Sequence, residues 1–296
     1  MLIKNKMNKQ KKINQKLKNQ LKNKTVLITG GAGSIGSEVT KKILEYPVKA
    51  VRVIDIDEHA LFKLKRRIND ERLRPLLGSI LDKDRLELAC SDVDIIIHAA
   101  AIKNIEISEY NPIETIEVNI NGTTNIIKMA IKLKIEKFIN ISTDKSVEPS
   151  TLYGTTKQLG ERLTSWAGKH TPKQKFGTIR FGNVFETRGN VMEVWKEQYE
   201  KNEPLSITDI SMDRYYFHVN EAVEFIMDCL EIVNKGEIFV PKMKSFKIKE
   251  LAEKISKKHK IIGSRRGEKI SEILITKDEK ANAKNRKNMW IISPLD

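Results

Sequence analysis

Two short stretches hold the side chains best suited to do chemistry. Tyr153-Gly-Thr-Thr-Lys157 places a phenol and an ammonium four residues apart. On a helix those positions share a face. A lysine cation beside a phenol is expected to lower its pKa from ~10 toward the working range. The tyrosinate can then take a proton from a sugar hydroxyl while the carbinol hydride leaves for a nicotinamide. Just upstream, Ser142-Thr143-Asp144-Lys145 ends an apolar stretch. It sets an acid and a base at an expected strand end, where doubly wound sheets bind ligands. A solvated loop ion pair is the bland alternative for Asp144 and Lys145. Their closeness to Tyr153 and Lys157 argues against it.

A third stretch supplies a place for a cofactor. Thr29-Gly30-Gly31-Ala32-Gly33-Ser34-Ile35-Gly36 follows a short apolar strand and opens a helix. Gly30, Gly33 and Gly36 have the spacing of a dinucleotide loop. Glycine permits the tight turn and lets the backbone approach a pyrophosphate at the helix N-terminus. Asp55 closes the next strand, Val51-Arg52-Val53-Ile54. A carboxylate there accepts from both ribose hydroxyls and repels a 2′-phosphate, which favours NAD over NADP. Asp57 is a nearby rival for that role.

These side chains need a frame. Apolar runs predict strands over 26–28, 50–55, 75–77, 94–98, 137–142 and 176–181. Helical patterns lie between them, over 35–46, 59–69, 84–90, 113–133 and 153–166. The alternation predicts an α/β fold, a doubly wound parallel sheet with right-handed crossovers. After about residue 183 the pattern becomes irregular, with short strands at 205–208 and 238–240 and helices at 220–233 and 248–259. That suggests a smaller substrate-binding lobe over the carboxyl edge. The expected division is a basic, flexible leader over 1–24, a dinucleotide-binding domain over 25–182, and the lobe mainly over 183–296. Ile13, Leu17 and Leu21 recur every four residues, so a weak amphipathic helix is the alternative for the leader.

Composition narrows the function classes. The chain has 296 residues, 40% hydrophobic and 31% charged, enough for a core. The net charge is +15, but residues 1–24 hold nine lysines and no acid. Residues 242–295 hold sixteen lysines and arginines against six acids, which leaves 25–241 slightly acidic. No aromatic residues punctuate the leader, so solvated basic ends are expected rather than a nucleic-acid surface. No apolar run reaches a membrane span, and no signal peptide is apparent, so a cytoplasmic protein is expected. Cys90 and Cys229 read as buried small hydrophobes, and no spacing of His, Cys and Asp suggests a metal. His98 and His218 read as structural.

With these motifs in place, the chain resembles an extended short-chain dehydrogenase/reductase (Rossmann). Within that superfamily it is similar to the polysaccharide-biosynthesis (CapD/FlaA-like) nucleotide-sugar 4,6-dehydratases, best known for UDP-N-acetylglucosamine. The similarity runs through TGGAGSIGSE, HAAAIK, NPIETIEVNINGTTN, ISTDKSVEPSTLYGTTK, RFGNVFETRGNV and RRGEKISEILI. It implies Tyr153 as oxidation base, Lys157 as its tuner and a ribose ligand, and Thr143 as a hydroxyl partner at O4. It implies Asp144 as the acid at C6 and Lys145 as the base at C5. Ser34, Ile35, Ala99 and Ala100 join Gly30, Gly33, Gly36 and Asp55 as cofactor contacts. Asn183, Arg265, Gly267 and Glu268 match nucleotide-sugar contacts, and Lys103 could face the sugar. Arg214 matches the family only in part. The resemblance further implies NAD or NADP held through the cycle, a UDP-sugar substrate and a homo-oligomer. The rival readings are a UDP-sugar 4-epimerase, a silent dinucleotide sensor, and a nucleic-acid or membrane-surface protein acting through its basic ends.

Overall fold

The computed structural model describes residues 14–265 and 267–294. Among the described residues, six of the seven strands in the parallel part of the main sheet come from the stretch up to Phe181: β1 (Thr25–Thr29), β2 (Ala50–Asp55), β3 (Leu73–Leu77), β4 (Ile95–His98), β5 (Lys137–Thr143) and β6 (Lys175–Phe181). The helices of this half are α1 (Gln15–Leu21), α2 (Ser34–Leu44), α3 (Glu58–Ile68), α4 (Lys83–Cys90), α5 (Ile105–Tyr110), α6 (Pro112–Ile116), α7 (Thr123–Lys132) and α8 (Leu152–His170). Beyond Phe181 the chain forms β7 (Asn183–Val184), α9 (Val191–Glu200), β8 (Leu205–Ile207) and β9 (Asp213–Phe217). Then come α10 (Val219–Ile232), β10 (Lys235–Pro241), β11 (Lys244–Lys247), α11 (Ile248–Glu253) and β12 (His259–Ile261). The chain ends with α12 (Lys277–Asn282), β13 (Lys284–Asn285) and β14 (Met289–Ile292).

The main sheet runs β13-β14-β10-β6-β5-β4-β1-β2-β3. It is parallel from β10 to β3, and β14 and β13 add antiparallel pairs at one edge. Every residue of β5 is buried, as a strand covered on both faces requires. One apolar layer joins the sheet to α2, α3 and α10, with Val39, Ile43, Leu61 and Ile226 in it. The other joins it to α4, α7 and α8 through Leu86, Ile126 and Ala167. The small lobe has its own core around Trp195, Leu205, Met212, Tyr216 and Leu251.

Four expectations need correction. Residues 14–24 are not a flexible leader. Asn14 caps α1, and Leu17 and Leu21, one turn apart, are buried against the main core. Gln20 bonds the Glu231 carbonyl of α10, and Lys24 sits between Asp94 at 3.0 Å and Glu136 at 2.8 Å. Burying two leucines contributes roughly 1.5–3 kcal/mol each, which overrides the low complexity of the stretch. Residues 1–13, including Ile13, lie outside the described residues. The expected helix over 113–133 carries a π-helical turn, Glu117–Gly122, between α6 and α7. The helix expected over 248–259 ends at Glu253, and β12 pairs with β8 instead. The lobe is also interrupted: α10, β10, β13 and β14 return to the main sheet, so residue 183 is where it begins but not a clean division.

Candidate active site

The glycine loop is shaped by backbone contacts. Gly30 has φ +64°, and a Cβ there would lie 2.7 Å from the Ala100 backbone. A Cβ on Gly36 would lie 2.5 Å from the Gly30 carbonyl oxygen. Gly33 starts α2, and no side chain caps the helix's free N–H groups. Uncapped N–H groups at a helix start, with the positive end of the helix dipole, suit an anion. Asp55 faces this loop: its Oδ2 accepts from Ala32 N at 3.0 Å. Asp57 instead caps α3 by accepting from Ala60 N at 2.9 Å. Ala99 and Ala100 follow β4 beside the loop, where Ala99 N donates to the Thr29 carbonyl. The backbone cradle and the Asp55 carboxylate together fit a dinucleotide.

A cleft of about 780 Å³ opens between the sheet's carboxyl edge and the lobe. Ile35, Ala99, Thr143, Lys145, Tyr153 and Lys157 line it from the sheet side. Thr143 ends β5, and a short helical turn carries Asp144 and Lys145. The Thr143 hydroxyl donates to Asp144 Oδ1 at 2.9 Å, and Lys145 Nζ donates to the same oxygen at 2.9 Å. Asp144 has no exposed surface, and its Oδ2 has no hydrogen-bond partner among the described residues. Lys145 Nζ also lies 3.4 Å from Asn183 Oδ1. Gly154 lets α8 approach this turn, since a Cβ there would meet the Lys145 carbonyl oxygen at 2.2 Å.

Burial dominates the titration of the Tyr153/Lys157 pair. Desolvation pushes the Tyr153 phenol above its ordinary value, Asp144 pushes it further, and a hydrogen bond with Thr143 pulls it back. Lys157 is 7% exposed, and its pKa is pushed down to about 8 by burial, against the pull of Glu161. The expectation that Lys157 lowers the Tyr153 pKa is therefore corrected. Burial disfavours the phenolate by more than the neighbouring groups favour it.

The remaining expected contacts occupy the lobe side and its borders. Lys103 Nζ donates to the Arg188 carbonyl at 2.9 Å. The Arg265 guanidinium pairs with Glu106 at 2.7 Å. Gly267 has φ +78° and packs on Ser150, whose hydroxyl donates to its carbonyl. Glu268 accepts from Arg214 at 3.3 Å. Arg214, buried, also donates to the Lys269 and Ile270 carbonyls and so fixes this segment under the cleft. His98 is satisfied by Thr29 at 2.7 Å and Thr123 at 2.9 Å, and burial lowers its pKa to about 3. His218 caps α10 and pairs with Glu186. Among the described residues, no cluster of His, Cys, Asp and Glu could hold a metal. None of their helices is long and apolar enough to cross a membrane.

Sequence reasoning missed three contributors. Glu272 is 5% exposed, lines the cleft and lies 3.9 Å from Lys145 Nζ. Asn119, in the π turn, accepts from Ile102 N and donates to Ile102 O and the Thr156 hydroxyl. It thereby ties the segment after β4 to α8. Arg188 reaches from the lobe to the glycine loop, donating through Nη2 to Ala32 O at 2.9 Å and through N to Ser34 Oγ at 3.0 Å. The π turn has no sequence signature. Glu272 lay inside a motif already noted, four residues past Glu268, but only the fold brings it to Lys145.

A doubly wound sheet with this glycine loop and a Tyr-x-x-x-Lys helix defines an enzyme of the short-chain dehydrogenase/reductase type. The chain belongs to the polysaccharide biosynthesis protein family, whose model matches residues 26–294. It is 42% identical over 295 residues to a Methanocaldococcus jannaschii protein named only as an uncharacterized membrane protein, covering 95% of this chain and 89% of that one. It is 39% identical over 277 residues to the inverting UDP-N-acetylglucosamine 4,6-dehydratase of Campylobacter jejuni (92% of this chain, 83% of the relative). It is 33% identical over 285 residues to a UDP-glucose 4-epimerase of Rickettsia bellii, with the same two coverages. Among solved structures it is similar to Pen from Bacillus thuringiensis, with a TM-score of 0.89 and 34% identity over 92% of this chain and 90% of that one.

Proposed function

We propose that this protein is a nucleotide-sugar 4,6-dehydratase that acts on UDP-N-acetylglucosamine and yields a 4-keto-6-deoxy sugar. The observation that carries this reading is the contact between Asp144 and Lys145 at the end of β5, beside Tyr153 and Lys157. A 4-epimerase needs only the second pair. A dehydratase needs a base for the C5 proton and an acid for the departing 6-hydroxyl. The similarity to the Campylobacter jejuni enzyme supports the same substrate.

The chain's residues divide the work. The glycine loop, Asp55 and Lys157 would hold a nicotinamide dinucleotide, with NAD favoured because the Asp55 carboxylate repels a 2′-phosphate. When bound, that group supplies a hydride acceptor and a cationic ring, whose charge favours the Tyr153 phenolate. Tyr153 accepts the proton of the 4-hydroxyl as C4 becomes a ketone. The ketone acidifies the C5 proton, and neutral Lys145 takes it. Asp144 protonates the 6-hydroxyl, the C6–O bond breaks and water leaves. Lys145 then returns a proton to C5 as the hydride taken from C4 would be delivered to C6, which gives the 4-keto-6-deoxy product and leaves the cofactor as it began. Reaching the 6-hydroxyl takes a rotation that turns Asp144 Oδ2 into the cleft. The Tyr153–Thr143–Asp144 hydrogen bonds then offer a path for the proton gained at Tyr153 to restore Asp144. Asn183, Lys103, Arg265 and Glu268 lie where the nucleotide and sugar would sit.

Two measurements test the reading. The purified protein is incubated with UDP-N-acetylglucosamine and its product weighed: loss of one water is expected, and conversion only to the C4 epimer would overturn the assignment in favour of an epimerase. Denaturing the protein and chromatographing the supernatant should release NAD. Recovery of NADP alone would overturn the role given to Asp55.

A further inference from the structure

The elimination half of the site contains a carboxylate that the mechanism above does not use. Glu272 follows the segment fixed by Arg214 and projects into the cleft opposite the short turn after β5. Its Oε1 lies 3.9 Å from Lys145 Nζ, and its Oε2 lies 3.8 Å from Lys269 Nζ. Oε2 has no hydrogen-bond partner among the described residues, although the side chain is buried. A buried, under-bonded carboxylate is costly to keep unless something compensates for it. Lys145 is thus flanked by two buried carboxylates: Asp144, behind it and sealed from the cleft, and Glu272, which shares the cleft with it.

We propose that Glu272 is a positioning residue for elimination, holding the Lys145 amine over the cleft against the inward pull of Asp144. The inference rests on the dehydratase reading. Its physical content is a balance. The Asp144–Lys145 hydrogen bond, alone, draws Nζ toward the sheet. A carboxylate on the cleft side, ionised while Asp144 holds the proton it gives to the 6-hydroxyl, offers Nζ a resting place from which it can reach C5. Once Lys145 holds the C5 proton it is an ammonium, and the nearby Glu272 carboxylate stabilises that charge in a poorly solvated site. Besides Lys145, the charged groups facing Glu272 are Asp144, Lys269 and Arg214. Burial is the largest influence on its own titration and raises its pKa, and Asp144 raises it as well, while the three cations oppose them. The Asp144 charge also raises the pKa values of Tyr153, Tyr215 and Tyr216.

The test separates the two halves of the reaction in the full chain with its cofactor. Sugar-dependent reduction of the bound nicotinamide, read by absorbance, reports oxidation at C4. Solvent deuterium entering C5, read by mass, reports Lys145. In Glu272→Gln, C5 exchange and release of dehydrated product should fall roughly tenfold or more, less than the ~10²–10⁴-fold expected for loss of the base itself. Oxidation should stay within about threefold. The acid limb of C5 exchange should move to lower pH, because the ammonium form of Lys145 loses an anionic neighbour. Glu272→Asp keeps the charge and should recover much of the exchange. The proposal is overturned if Glu272→Gln exchanges at the wild-type rate with the limb unmoved. It is overturned equally if oxidation falls as far as exchange in both variants, since that marks a structural role. Wild type giving only the C4 epimer would sink the dehydratase reading instead, a different result from either.

Discussion

The cofactor cradle and the Asp144–Lys145 cluster are made of different materials. The cradle is mostly backbone, drawn from one continuous stretch, with Asp55 supplied by the next strand. Its geometry is fixed by close approaches such as Gly30 against Ala100. The cluster is side chains, brought together from the end of β5, α8 and a segment beyond β12. Its geometry depends on ion pairs of 2.9–3.9 Å among buried charges. A backbone site fails through sterics, and a side-chain site fails through charge. Substitutions in the two places should therefore leave different traces.

The largest expected effect lies in the cluster. Lys145→Met keeps much of the stem and removes the amine proposed as the base. Dehydration should fall ~10²–10⁴-fold, while sugar-dependent nicotinamide reduction survives. Wild-type dehydration by this variant would break the distinction drawn here. Next comes α1, whose leucines belong to the same apolar layer as the cradle's strand β1. Leu21→Ala should cost about 2–5 kcal/mol of stability in denaturant unfolding. A cost under 0.5 kcal/mol would show that α1 does not dock. Removing residues before Lys24 should destabilise the fold for the same reason, contrary to the flexible leader expected from composition. Within the cradle, Gly30→Ala forces a side chain into the left-handed region and against Ala100. It should cost about 1–3 kcal/mol and release bound dinucleotide on gel filtration, with no change in the product formed by whatever enzyme stays loaded.

The smallest effect is a pH dependence. Lys157 has its pKa lowered to about 8 by burial, below the ~10.4 of an unfolded lysine. Between those values the unfolded chain binds more protons, so this group makes stability rise with pH. The unfolding free energy of wild type relative to Lys157→Met should climb across that window by at most about 1.4 kcal/mol per pH unit. A flat difference would mean that Lys157 is solvated.

The contrast also explains what could be read from the residues. The strands of the parallel half, the glycine loop and the Tyr153/Lys157 helix were legible because each is local. The span expected for β2, residues 50–55, matches the observed Ala50–Asp55. The packing of α1 was half visible in the spacing of Leu17 and Leu21, and low complexity argued the other way. The Tyr153 titration was misjudged because a four-residue spacing gives proximity but not burial. Glu272 was invisible as a site residue, since its partner is reached only through the fold. The strands β13 and β14 were missed because short edge strands carry little pattern of their own.

The return of the chain to the main sheet has a mechanical consequence. The polypeptide leaves after β6, comes back for α10 and β10, departs again through β11 to β12, and returns with β13 and β14. A lobe tethered by several strands of chain cannot swivel about a single linker. Rotation in one direction would stretch one tether and compress another. The separation between Lys145 and Glu272, on opposite walls, is thereby set before any ligand arrives. Such rigidity reduces the ordering that binding would otherwise require, and it leaves ligand entry to local movements of the side chains that line the cleft.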